Sequence, residues 1–129
     1  SVGGDFYHLF RLSGGRTGVM IGDVSGHGYR AALIMALAMS AAAIHAQDSG
    51  DPGLTLAAVL RSVGEELAST EMFITTFYAV VDPARGELRY ANAGHPHAFV
   101  LAADGTADRL PAGAPPLGMV PVAPPAVVR

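Results

Sequence analysis

A chain of 129 residues can bury one substantial core but not two, and with half its residues apolar and only 15% charged it is too hydrophobic to stay disordered. The net charge of −3, with eight basic residues that are all Arg and form no basic stripe, argues against nucleic acid as a partner. The absence of Cys excludes disulfides, thiolate chemistry and Cys-ligated zinc and leads to the expectation of a reducing, cytoplasmic compartment; the absence of Lys excludes Schiff-base catalysis and a Walker lysine.

In chain order, Asp5–Leu12 and Thr17–Val24 read as two strands, apolar on both faces as in a covered sheet, joined by a turn at Ser13–Arg16. A helix is predicted from Tyr29 to Ala46, ending before the breaker cluster "QDSGDPG". Its most apolar part, Ala31–Ile44, is shorter than the roughly 18–20 residues that cross a bilayer and predicts a buried helix, with no membrane insertion. A second helix, Leu54–Ser69, carries Leu56, Val59, Leu60, Val63 and Leu67 at helical spacing, with Thr55 or Asp51 as its cap.

Three strands follow, Phe73–Val81, Glu87–Ala93 and His97–Ala102, then a short one near Asp108–Leu110. The tail, Pro111–Arg129, holds six of the nine prolines and reads as an irregular connector. Strands, then two helices, then strands predict an α+β sandwich rather than alternating βαβ units. The turn-like opening "SVGGD" and the ending "AVVR" suggest one domain, residues 1–129, that is only part of a larger unit.

Asp23 is framed by Gly22, Gly26 and Gly28 where a strand gives way to a helix. If the first hairpin has a three-residue loop at 13–15, paired positions sum to 28 and Asp5 lies opposite Asp23. Directly opposed side chains have Cβ atoms about 4.5–5.5 Å apart. Carboxylates that close repel unless one is protonated or a cation lies between them. Hard Mg²⁺ or Mn²⁺ suits such oxygen donors, and Gly26 and Gly28 expose N–H groups at a helix start that favours anions. Plainer alternatives stand beside this one: Asp23 or Ser25 as a helix cap, and Asp5 as a solvated hairpin end. "GDVSGHG" matches neither a P-loop, a dinucleotide fingerprint nor a nucleophile elbow.

Five blocks together carry a resemblance: "VGGDFY" (2–7), "IGDVSGHG" (21–28) with "AALIMA" (31–36), "FITTFYAVVD" (73–82), "LRYANAGHPHAFVL" (88–101) and "APPLGM" (114–119). Their order and spacing resemble the bacterial PPM-type (type 2C-like) metal-dependent serine/threonine phosphatases, in the branch of sporulation stage II protein E and the stress-response sigma-factor regulators. The resemblance implies an α-β-β-α sandwich of antiparallel sheets with a two-metal centre, Mn²⁺ or Mg²⁺. It implies hydrolysis of phosphoserine or phosphothreonine by a metal-activated water, without a phosphoenzyme, on a phosphorylated anti-sigma-factor antagonist. Asp5 and Asp23 fall on the family's catalytic metal-binding acids, Asp23 on the bridging one, and the Val24 carbonyl on a further metal ligand. The helices at 29–46 and 54–69 resemble a regulatory switch, the surface for an upstream sensor domain or a homodimer.

His8 departs from the family pattern, which often has Asp there, and the family's first strand, late "TDG" block and final metal-binding Asp fall outside residues 1–129. His8 in place of Asp, together with the low charge content, favours a rival reading, a catalytically degenerate interaction or signal-relay module. Among other residues, "NAGHP" is read as a structural turn in which Asn92 and His95 fix backbone, although His95 and His97 share a spacing compatible with a metal. His27 is a turn histidine that either meets phosphate or faces solvent. His45 suits a helix C-terminus. Arg11, Arg16 and Arg30 are candidates for phosphate, and Met35, Met39 and Met72 for packing.

Overall fold

The computed structural model describes residues 4–96 and 98–129. β1 (Asp5–Arg11) and β2 (Thr17–Val24) form a hairpin, followed by α1 (Tyr29–Asp48) and α2 (Pro52–Thr70). The chain then returns through β3 (Ile74–Asp82), β4 (Glu87–Ala93), β5 (Phe99–Leu101), β6 (Ala107–Arg109) and β7 (Val127–Val128). The main sheet is antiparallel in the order β1-β2-β3-β4-β7, and β5 and β6 pair as a separate hairpin. This is the α+β architecture expected, with both helices on one face of the large sheet.

Period-two alternation sorts the strands. Phe6, Phe10, Met20, Val24, Ile74, Tyr78, Val80, Ala91 and Ala93 face the helices and join Ile34, Leu56, Val59, Val63 and Leu67 in the main core. α1 contributes mainly alanines, Ala31, Ala38, Ala42 and Ala46, whose small side chains let the two helices and the sheet approach closely. The 20-residue α1 is longer than Ala31–Ile44, and at a mean hydropathy of 1.4 it has the length and composition of a membrane span. Its alanine stripe is nonetheless packed against α2 and the sheet, as in a core helix.

On the opposite face Phe77, Ala79 and Tyr90 meet Leu110, Val100 and Ala98, so the small β5–β6 hairpin begins a second layer over the β3–β4 half. Tyr7, Leu9 and Ile21, on the same face of β1 and β2, stay exposed.

Most boundaries fall within two residues of the sequence expectation. α2 is capped by Asp51, whose Oδ1 accepts from the Leu54 N–H at 3.1 Å, with Pro52 at the first helical position. The predicted strand at 108–110 ends one residue early by its ladder, yet the Leu110 N–H still donates to the Ala98 carbonyl at 2.8 Å. His97, the expected start of a strand, lies outside the described residues, as does Val2.

The tail departs from a mere connector. Leu117 is fully buried and exchanges both backbone hydrogen bonds with Ile74, at 2.9 and 2.7 Å. Val127–Val128 then adds an edge strand to β4. Prolines, which lack an N–H, keep these pairings to one or two residues.

Candidate metal centre

The hairpin loop fixes the geometry of the site. The Leu12 N–H donates to the Arg16 carbonyl at 3.0 Å, closing a three-residue turn at Ser13–Gly15 in which Gly14 and Gly15 take φ of 71° and 73°. That register runs to the far end of the hairpin, where Asp5 pairs with Asp23. The Val24 N–H donates to the Gly4 carbonyl at 3.0 Å, so residues 4 and 24 form a hydrogen-bonded pair and the next pair, Asp5 and Asp23, does not. Non-hydrogen-bonded pairs bring side chains closest. Gly4 permits the approach, because a Cβ there would lie 2.5 Å from the Val24 carbonyl oxygen.

Both carboxylates are exposed on the face away from the helices, and they line a cleft of about 510 Å³ with Thr75 and His95 among its walls. Asp23 titrates above its ordinary value: partial burial is the largest cause, followed by the hydrogen bond and the charge of Asp5, while His95 pulls the other way. Two facing carboxylates form an oxygen-donor pair short of a counter-charge, and a hard divalent cation fits that deficit. Val24 buries its side chain in the core and turns its carbonyl to the β1 side, next to the residue preceding Asp5. Among the described residues no three His, Cys, Asp or Glu side chains cluster as a metal cage.

The other candidates disperse. His8 lies on the opposite face of β1 from Asp5, its ring 4.6 Å edge-on to Phe10, so residue 8 does not look into the cleft. Neither Asp23 nor Ser25 caps α1, which begins after Gly28 (φ 79°) with no side-chain cap. Ser25 instead ties the sheet, its N–H donating to the Phe73 carbonyl and its Oγ accepting from the Phe73 N–H, each at 2.9 Å. Arg11 and Arg16 stand at the hairpin-turn end of the sheet, six or more residues along the strands from the acid pair, and Arg30 belongs to α1. His27 is exposed, and His45 sits 3.7 Å from Asp48 in the last turn of α1. Met35, Met39 and Met72 pack against the main core.

Asn92 and His95 do fix backbone as expected. Asn92 Nδ2 donates to the His95 carbonyl at 2.8 Å, and the His95 N–H donates to Asn92 Oδ1 at 2.8 Å. The same turn also carries the His95 ring into the acidic cleft, which residue spacing alone did not reveal.

An antiparallel sheet with two helices packed on one face matches the fold of PP2C-like phosphatase domains. The chain superimposes over its full length on the RsbU and RsbW domains of a Mycobacterium tuberculosis protein, with a TM-score of 0.84 at 29% identity, covering 36% of that chain. It matches the SiaA-PP2C domain of Pseudomonas aeruginosa with a TM-score of 0.79 at 25% identity, over 99% of this chain and 51% of that one. In sequence it is 34% identical, over 92% of its length, to the phosphoserine phosphatase RsbP of Bacillus subtilis. The model of the Stage II sporulation protein E (SpoIIE) family matches residues 13–129, and the chain belongs to that family. The match includes Asp23 and begins downstream of Asp5. The chain spans between 23% and 30% of the length of the curated relatives it matches.

Proposed function

We propose that this domain is a metal-dependent protein serine/threonine phosphatase acting in the cytoplasm on a phosphorylated regulatory protein, an anti-sigma-factor antagonist. The observation that carries the reading is the cross-strand pair Asp5–Asp23 at the floor of a cleft open to solvent. Similarity to RsbP, a phosphoserine phosphatase by name, supports the substrate class.

Asp5, Asp23 and the Val24 carbonyl would hold Mn²⁺ or Mg²⁺, two ions in the intact domain. When bound, such ions lower the pKa of a coordinated water and offset charge on a phosphoryl group. The chain's own contribution is to fix the acids by strand register, to present them at an exposed cleft that a protein-borne phosphoserine can enter, and to keep β1–β2 rigid through the core behind them. α1 and α2 are the proposed seat of an upstream sensor domain or a homodimer. Tyr29, Leu33, Leu37 and Ile44 form an exposed apolar row along α1 that suits such a contact.

The test is phosphate release from a phosphoserine protein in the presence of Mn²⁺. Asp23→Asn should lower the rate by at least about 100-fold, since it removes a ligand to the reacting centre. An unchanged rate would defeat the assignment. The rival reading, a degenerate relay that binds a partner without hydrolysis, draws on the lack of a third side-chain ligand among the described residues. Calorimetric titration with Mn²⁺ separates the two, because a relay has no need of the metal.

A further inference from the structure

One wall of the acidic cleft belongs to a residue that the metal ligands leave unused. His95 follows Gly94 (φ 67°) in the turn after β4 and lines the cleft with Asp5 and Asp23. Gly94 is required there by crowding as well as by φ, since a Cβ would lie 2.5 Å from Pro116. The two bonds from Asn92 hold the His95 main chain on both sides, and Asn92 is itself buried, with Nδ2 also donating to the Leu110 carbonyl at 3.2 Å. The ring is half-buried, and Nδ1 lies 3.4 Å from Thr75 Oγ1. Thr75 is the β3 partner of Asp23. In the tautomer in which the Thr75 hydroxyl donates to Nδ1, the neutral ring carries its proton on Nε2, for which the described residues supply no hydrogen-bond partner.

We infer that His95 Nε2–H is a donor to a phosphoryl oxygen of the phosphate monoester that occupies this cleft, and that Thr75 is the positioning residue for its ring. A donor pre-oriented by a clamped backbone loses little rotamer freedom when it engages a ligand. It also supplies hydrogen bonding to phosphate from the wall adjacent to the acids, where Arg11, Arg16 and Arg30 do not reach. The inference rests on the phosphatase reading for its ligand class, and phosphate binding can be measured without turnover.

The experiment uses the protein with saturating Mg²⁺, titrated with inorganic phosphate while the His95 imidazole is followed by ¹⁵N NMR. The Nε2 resonance should move saturably with phosphate. His95→Ala should weaken phosphate binding about 10-fold or more, the scale of one hydrogen bond to a charged group. His95→Gln, which keeps an N–H donor, should remain within about 3-fold of wild type, and Thr75→Val should weaken binding where Thr75→Ser does not. A ring that responds to Mg²⁺ but not to phosphate, or His95→Ala with wild-type phosphate affinity and an unchanged circular dichroism spectrum, would overturn the role. If phosphate binds through His95 while Mn²⁺ supports no hydrolysis of a phosphoserine protein, the phosphatase reading fails and the phosphate site stands. If hydrolysis is Mn²⁺-dependent and His95→Ala leaves both KM and phosphate affinity intact, the role of His95 alone is lost.

Discussion

Asp23 is held where its charge is unwelcome, through partial burial and the facing Asp5. The consequence for stability has a definite sign. A carboxyl whose folded pKa is raised binds its proton more tightly in the folded state, so its contribution is favourable below the unfolded value of 3.8 and is lost as pH rises through the folded pKa. Without divalent metal, wild type should lose stability relative to Asp23→Asn as pH climbs from below 3.8 toward neutrality, and Mg²⁺ should narrow the gap. Urea midpoints at several pH values, with and without Mg²⁺, check this; a pH-independent difference would exclude the acid-pair penalty.

Tyr78 poses a second residue-scale problem. Its hydroxyl is fully buried with no hydrogen-bond partner among the described residues, and burial pushes its pKa up to about 12. Tyr78→Phe should be neutral or stabilise the fold by about 0.5–1 kcal/mol, because an unsatisfied buried hydroxyl gives nothing back for its lost hydration. Chemical denaturation measures the change, and a loss above about 1 kcal/mol would reveal a partner for the hydroxyl.

Among the elements, α2 ends on Glu71, the one non-glycine residue with positive φ (56°) among those described, its N–H directed to the Leu67 and Ala68 carbonyls. This is the helix-end position that glycine fills best. Glu71→Gly should therefore raise stability by about 0.5–1 kcal/mol, read as a shift in the denaturant midpoint at constant slope.

The hairpin shows why so much of the site could be read from residues. Loop length sets strand register, and register alone puts Asp5 beside Asp23. α2 was legible in its apolar spacing and in Asp51 as one of two candidate caps, but its start at Pro52 was not, because that proline reads with the breaker cluster before the helix. His95 was not, because its approach to the acids depends on Gly94, on Asn92 and on β4 lying two strands away from β2. Nor was the role of the tail: Leu117 and Val127–Val128 pair with strands more than thirty residues earlier, through contacts that a proline-rich stretch does not advertise.

For the whole molecule, the two faces of the sheet have different fates. One is sealed by α1 and α2; on the other, the described residues cover β3 and β4, and the acid cleft lies at the β1–β2 end. The exposed row on α1 bears on the proposed pairing of helices. If that row mediates a homodimer, Leu37→Glu should shift the protein to monomer in sedimentation equilibrium while leaving Mn²⁺ binding unchanged, because residue 37 lies across the sheet from the acids.

The presence of a divalent-cation site at Asp5 and Asp23 is tested most directly by calorimetric titration of Mn²⁺ into wild type and Asp23→Asn. Saturable binding by wild type, weakened at least about 10-fold by the substitution, is the expected result, since losing a ligand should cost no less than losing a residue behind one. Equal Mn²⁺ affinity in the two proteins, or none in wild type at millimolar metal, would contradict it.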